Sequence, residues 1–157
     1  MTSSKESLDG FLAKYDPAIA EVARRALAAM RKLLPGATQL VYDNYNALAI
    51  GFAATERASD AIVSIALYPR WVTLFFLNGR PLADPSKRLK GSGSRVRHIV
   101  LQNGAATLAE PDVAELIRLA IAQADPPLSR AGRGRLIIKS ISAKQRPRRP
   151  GGVGSRR

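Results

Sequence analysis

Two short segments of the chain combine aromatic, amide and charged side chains that could bind a ligand. The first, Tyr42-Asp43-Asn44-Tyr45-Asn46, lies between two strand-like segments and offers hydrogen-bond donors, acceptors and aromatic faces. The second, Tyr68-Pro69-Arg70-Trp71, places an arginine beside the only tryptophan, a pair that can present a cation and a ring to an anion or a base. Each segment also has a purely structural interpretation, because Asp and Asn favour turns and an aromatic ring can cap a hydrophobic core.

A third segment, residues 87–98, surrounds a Gly-Ser-Gly turn with lysines and arginines. Successive backbone N–H groups of such a turn can converge on an anion, although the segment is not a P-loop, because its lysine precedes the glycines and no helix follows. In the strand that comes next, Arg97 falls on the face of Ile99 and His98 on the opposite face, among valines. A turn between strands with exposed charges, and a histidine that packs in the core, are the alternatives.

Residues suited to catalysis or to metal binding are sparse. The chain has no cysteine and one histidine, which excludes disulfides, thiolate zinc sites and multi-histidine metal sites. No serine stands in a nucleophile-elbow sequence, and the acidic residues are scattered rather than converging as a hard cation requires. We therefore expect a non-enzymatic binding domain without a cofactor.

The first functional hypothesis is a pocket for a small anionic or phosphorylated ligand. It is built from the polar side chains of these segments whose presence is least explained by packing of the hydrophobic core. This hypothesis requires Tyr42, Asn44 or Tyr45 to lie within side-chain reach of Arg70, Arg97 or His98. An enzyme that uses Tyr, Asp and His as acid–base groups is a further hypothesis. The candidate ligand-binding residues are Tyr42, Asn44, Tyr45, Arg70, Arg97 and His98.

The net charge of +13 on the 157 residues is concentrated at the C-terminus. Residues 130–157 contain ten Lys and Arg and no acid, whereas the preceding residues contain 15 basic and 12 acidic side chains. Residues 143–157 have almost nothing to bury, so we expect a basic, disordered tail. Such a tail either serves solubility or binds nucleic acid weakly by releasing counterions. The candidate nucleic-acid-binding residues are Lys144, Arg146, Arg148 and Arg149.

Residues 1–142 predict a single α+β domain. Helical periodicity predicts a long helix that starts at Asp16-Pro17 and another that starts at Pro111. Alternating patterns predict several consecutive strands between them, with 61–68 and 71–77 as an antiparallel hairpin, and a last short strand follows. Because the strands are consecutive, we expect a mainly antiparallel sheet with helices packed on one face. The other face is then covered by something else, or is left to a ligand or partner.

The sequence contains no apolar run long enough to cross a membrane. Its first residues mix charges of both signs and lack the apolar stretch of a signal peptide. We therefore expect a cytoplasmic protein without a membrane partner.

Several motifs between about residue 8 and residue 150 are distinctive together, although none of them is diagnostic alone. They are Phe11-Leu12, Val41 to Asn46, Tyr68 to Trp71, Phe75-Phe76-Leu77 with Gly79, Asp84-Pro85, Leu89 with Gly91-Ser92-Gly93, and Arg97-His98-Ile99. With these motifs the sequence resembles the YdhG-like family (domain of unknown function DUF1801), and its end, residues 142–150, is similar to one branch of that family. The resemblance implies an α+β domain with a mainly antiparallel sheet.

The resemblance also implies an alternative function, because some relatives are described as frataxin-like iron chaperones that bind ferrous iron on carboxylates. This sequence departs from that pattern, since its body is slightly basic and its acids are dispersed. No iron-binding residue is therefore carried over. A metal chaperone would have to use Asp43, Asp60, Asp84 and His98.

Overall fold

The computed structural model describes residues 2–150 of the chain. Three α-helices lie in this range: α1 is Ser4–Leu12, α2 is Pro17–Leu33 and α3 is Pro111–Ala122. Both longer helices begin at a proline, whose missing N–H costs nothing in the first turn. In the described part of the chain no helix is both long and apolar enough to cross a bilayer.

Six strands form one sheet in the order β5-β4-β3-β2-β1-β6. All neighbouring pairs are antiparallel except β1 and β6, which run parallel, so the sheet is mixed but mostly antiparallel. The α+β prediction and the predicted hairpin are confirmed. The parallel pair arises because β6 follows the connection through α3, which returns the chain in the same direction. The strands are β1 Thr38–Asp43, β2 Leu48–Ala53, β3 Ala61–Leu67, β4 Val72–Phe76, β5 Arg97–Val100 and β6 Leu136–Ile141.

The helices pack on one face of the sheet, as the sequence predicts. Large apolar residues of the central strands, such as Ile50, Ile65 and Leu74, face the helices and belong to the hydrophobic core. The alternate residues point to the other side, which we call the open face. Four small residues lie across its middle, and one of them, Ser64, pairs with Phe75 of β4. Neither the small residues nor Phe75 belongs to the core cluster described for residues 2–150. The small residues are Ala49, Gly51, Ser64 and Ala66.

Residues 143–150 pack against the domain, which corrects the prediction of disorder for this part of the tail. The backbone N–H of Ser142 donates to the carbonyl of Asp43 (2.8 Å), and that of Arg146 donates to the carbonyl of Tyr45 (2.9 Å). The segment lacks an apolar face, and its docking depends on polar contacts that composition does not reveal. The remainder of the predicted tail, residues 151–157, lies outside the described residues.

Candidate functional site

The docked C-terminal segment is held by a buried carboxylate. Asp43, at the end of β1, is fully buried and accepts hydrogen bonds from Lys14 Nζ (2.8 Å) and Arg148 Nη2 (2.9 Å). We call these three residues the clasp. Burial acts to raise the pKa of Asp43, but the bonds from Lys14, Gln145 and Arg148 outweigh it, so the pKa lies below its usual value. The carboxylate is therefore ionised at neutral pH.

Arg148 anchors the segment through more than its charge. Its guanidinium also donates to the backbone carbonyl of Asn44 (2.5 Å) and lies over the ring of Tyr15, 5.7 Å from the ring centre. Only 6% of the residue is exposed. Removal of one partner from a buried ion pair leaves the other charge uncompensated, which costs about 3–5 kcal/mol. The clasp thus fixes the position of the neighbouring residues of the segment.

Those neighbours complete a groove of about 650 Å³ at the tip of the β3–β4 hairpin. Hairpin residues form one side of this groove and the docked segment forms the other, so residues 75 or more positions apart in sequence meet there. We call it the arginine–aromatic groove. Its lining residues are Asn46, Tyr68, Pro69, Arg70, Trp71, Arg146, Pro147, Arg149 and Pro150.

The aromatic part of the groove is a stacked pair. The rings of Tyr68 and Trp71 lie 5.6 Å apart, centre to centre, with 29° between their planes. Trp71 is 46% exposed, so it does not serve as a lid on the hydrophobic core. Burial raises the pKa of Tyr68, which keeps its hydroxyl protonated and able to donate at neutral pH.

The cationic part of the groove comes from three arginines with different partners. Arg70 and Arg146 are exposed, and neither forms an ion pair with any residue between 2 and 150. The guanidinium of Arg149 already has partners, because its Nε donates to the carbonyl of Lys14 (3.1 Å) and its Nη1 lies 3.7 Å from Asp16 Oδ1. Two guanidinium groups therefore remain available to an anion beside an exposed ring.

The structure does not bring the six predicted ligand-binding residues into one pocket. Arg97 and His98 lie on β5, and three strands separate β5 from β1, which is about 19 Å at normal strand spacing. Arg97 is used locally, since its Nη1 donates to the carbonyls of Gly93 (2.7 Å) and Val96 (2.8 Å). His98 packs on the open face against Phe75, with 5.6 Å between ring centres.

The remaining predicted residues divide between two adjoining surfaces. Arg70 lines the arginine–aromatic groove, whereas Asn44 and Tyr45 line a second groove on the open face. Both grooves include Asn46 and Tyr68. The hydroxyl of Tyr42 is buried without a hydrogen-bond partner among the described residues.

The predicted nucleic-acid-binding residues also separate. Arg146 and Arg149 line the arginine–aromatic groove, and Lys144 is exposed outside it. Arg148 is buried in the clasp, so the structure corrects its assignment as a free contact for nucleic acid. Its role is to hold the segment that carries the other two arginines.

The basic segment 87–98 is braced rather than free. Arg88 donates both to Asp112 (2.9 Å) and to Glu110 (3.0 Å), next to the start of α3. Lys90 pairs with His98 through two backbone hydrogen bonds of 2.9 Å. Most of this segment is therefore a turn between strands, which was one of the two interpretations of the sequence, although Arg95 remains exposed.

The acids proposed for a metal chaperone are dispersed and already partnered. Asp84 accepts from the backbone of Arg88 and Leu89 (2.9 Å each), and Asp60 accepts from the hydroxyl of Thr55 (2.6 Å). Within residues 2–150 no group of three or more His, Asp and Glu side chains is placed to hold a metal ion.

Sequence reasoning missed the clasp, although one signal pointed to it. Alternation along β1 puts Asp43 on the same face as Val41, the face that packs against the helices. A carboxylate at such a position needs a cationic partner, because an unpaired buried charge is very costly. The sequence does not identify the partners, which lie 29 and 105 positions away.

Comparisons with protein-family models, with curated proteins and with solved structures return no match to this chain. The fold itself defines the class, an α+β domain with a mostly antiparallel sheet, helices on one face and grooves on the other.

Proposed function

We propose that the domain binds phosphorylated ligands that carry an aromatic ring, such as nucleotides, in the arginine–aromatic groove. The observation that carries this proposal is the juxtaposition of Arg70 and Arg146, both free of ion pairs within residues 2–150, with the exposed ring of Trp71. It retains the predicted anionic or phosphorylated ligand but places it at the hairpin tip.

The chemistry of the groove suits both halves of such a ligand. A planar guanidinium donates two parallel hydrogen bonds to phosphate oxygens, and two of them can share one phosphate group. An exposed indole offers its face to a base, a contact worth about 1–3 kcal/mol. The volume of about 650 Å³ falls within the usual range of small-ligand pockets, about 300–1,000 Å³.

The proposed role is binding without catalysis. Among its lining residues the groove has no carboxylate, cysteine or histidine that could act as a general base. Its ionisable groups are three arginines, which do not exchange protons at neutral pH, and a tyrosine whose pKa is raised.

The single tryptophan makes this proposal directly testable. Titration with ADP should quench the fluorescence of Trp71 in a saturable way, and adenosine should bind more weakly because it lacks phosphate. The double variant Arg70→Gln/Arg146→Gln should bind ADP at least about tenfold more weakly, because it loses charge-assisted hydrogen bonds. Arg118→Gln removes an exposed arginine of α3 that does not line the groove, and it should bind ADP normally. No saturable quenching by ADP, or equal affinity in the two variants, would contradict the proposal.

A further inference from the structure

The arginine–aromatic groove does not end at the hairpin tip. It adjoins the second groove, of about 540 Å³, through the shared residues Asn46 and Tyr68. That groove in turn shares Leu77 with a third one, of about 450 Å³, which reaches Ser94 and Arg95. The three grooves therefore adjoin one another along β3 and β4, from the hairpin turn to the opposite end of the sheet, and we call this row of grooves the depression.

The length of this depression exceeds that of one nucleotide. From Trp71 to Leu77 the chain takes six strand steps, which at about 3.3 Å per residue is about 20 Å. A mononucleotide at the hairpin tip would leave most of the depression empty. A linear ligand with repeated ring and phosphate groups would follow it.

The floor and walls of the depression match such a ligand. Ala49, Ser64 and Ala66 keep the floor low, and the ring of Phe75 stands beside them, braced by His98. Tyr45, 52% exposed, lines the same groove. Rings therefore occur at the hairpin tip and again along the sheet, as in surfaces that bind single-stranded nucleic acid by stacking successive bases.

The charges are placed at the two ends. Arg70 and Arg146 lie at the hairpin tip. Arg95 lies at the far end, where it also lines a groove beside α3 that includes Asp60 and Asp125. Among the described residues no carboxylate lines the three grooves themselves, so a polyanion bound in them contacts no negative side chain there.

We infer that the ligand of this surface is single-stranded nucleic acid, an inference that rests on the proposed function and names its substrate class. A strand of about four nucleotides or more, at the lower end of known stacking sites, places one phosphate on Arg70 and Arg146 and its base on Trp71. The following bases pass Tyr45 and Phe75, and the chain reaches Arg95. A duplex does not fit this mode, because its bases stack on one another and hide their faces.

The test compares ligands of increasing length on the full chain. Fluorescence anisotropy of labelled oligothymidylates of two, four and eight nucleotides should show affinity that rises steeply up to about four nucleotides and then levels off. Competition with ADP reports the hairpin-tip subsite separately. An eight-base-pair duplex should bind at least about tenfold more weakly than the eight-nucleotide single strand.

Variants along the sheet distinguish this inference from the proposed function. Phe75→Leu keeps an apolar side chain and removes the ring, Tyr45→Ala removes an exposed ring, and Arg95→Gln removes the distal charge. Each should weaken the eight-nucleotide strand by about five- to tenfold and leave ADP affinity unchanged. Arg118→Gln should change neither.

Three results are decisive. Normal ADP binding with no gain for longer strands overturns the inference and leaves the proposed function standing. Failure of both ADP and oligonucleotides to bind overturns both. Weaker strand binding by Tyr45→Ala and Arg95→Gln, with ADP affinity kept, supports both, even if Phe75→Leu folds poorly.

Discussion

Arg148 Nη2 lies 2.9 Å from Asp43 Oδ1, and both side chains are almost completely buried although 105 positions separate them in the chain. This pair joins the end of β1 to the C-terminal segment. Because Arg146 and Arg149 flank the buried arginine, the same contact that holds the segment also places two cations beside Trp71. Under the proposed function, folding and ligand binding are therefore coupled at Asp43.

The first prediction concerns this coupling. Asp43→Asn removes the negative charge that pairs with both Lys14 and Arg148. The substitution should lower the free energy of unfolding by about 3–5 kcal/mol. It should also weaken ADP binding, because the arginines of the groove lose their support. Urea denaturation and the fluorescence titration measure the two effects.

A matched control is Asp9→Asn, which removes an exposed carboxylate 3.5 Å from Lys5 on α1. Surface pairs of this type contribute about 0–1 kcal/mol, so its stability and its ADP affinity should stay close to those of the unmodified chain. Equal stability of the two variants would show that the clasp does not hold the segment.

The second prediction concerns acid. The pKa of Asp43 is lowered in the folded state, so the unfolded chain takes up its proton first as the pH falls. The stability that Asp43 provides is therefore fully present above its unfolded pKa of about 3.9 and is lost as the pH falls through the lower folded value. The difference in unfolding free energy between the unmodified chain and Asp43→Asn should be constant from pH 7 to about pH 5 and should shrink below about pH 4. A difference that persists unchanged at the lowest pH would contradict this assignment.

The third prediction uses two truncations. A chain that ends at Ser142 loses Arg148 and leaves Asp43 with Lys14 alone, so we expect it to be less stable by about 3 kcal/mol or more and to bind ADP poorly. A chain that ends at Pro150 keeps the clasp and every lining residue of the arginine–aromatic groove. It should match the full chain in thermal denaturation and in ADP titration. Similar behaviour of the two truncations would refute the role of residues 143–150.

The elements of the fold follow from patterns that the sequence displays openly. A proline at the first helical position and an apolar stripe specify α2 and α3, and the two-residue separation of 61–68 from 71–77 specifies the hairpin. Residues close together in the sequence determine these features, so they can be predicted without knowledge of the tertiary contacts. The YdhG-like resemblance, by contrast, stays a prediction.

The site depends on distant contacts and was harder to predict. The sequence offers Arg70 and Trp71 either as a ligand-binding pair or as a solvated cation beside a ring that caps the core, and their partners in the groove come from a segment whose composition is typical of disorder. Residues 143–150 nevertheless pack against the domain, because the buried carboxylate of Asp43 requires the cation that Arg148 provides. Strand order likewise decides that Arg97 and Asn44 lie apart, and strand order is not a local property.

The fourth prediction concerns the turn after α2. Gly36 has φ +85°, and an added Cβ would lie 2.6 Å from the carbonyl oxygen of Ser129. Gly36→Ala should therefore destabilise the fold by about 1–3 kcal/mol, through both backbone strain and this clash. Gly10→Ala is the control, because Gly10 lies inside α1 with nothing within 4 Å of the added carbon. It should stabilise the chain by about 0.5–1 kcal/mol in thermal or urea denaturation.

The last prediction separates binding on the open face from a general attraction of a basic chain to nucleic acid. Each phosphate contact to a single strand contributes about −0.7 to the slope of log affinity against log salt concentration. The phosphate held jointly by Arg70 and Arg146 and the phosphate at Arg95 should therefore give a slope of about −1.4, and Arg95→Gln should reduce its magnitude by about 0.7. The chain that ends at Pro150 should keep the slope and the affinity for the eight-nucleotide strand, because all three arginines remain. A loss of most binding in that truncation would instead assign the interaction to residues 151–157. Anisotropy across a salt series, on the full chain, the truncation and Arg95→Gln, measures all three slopes.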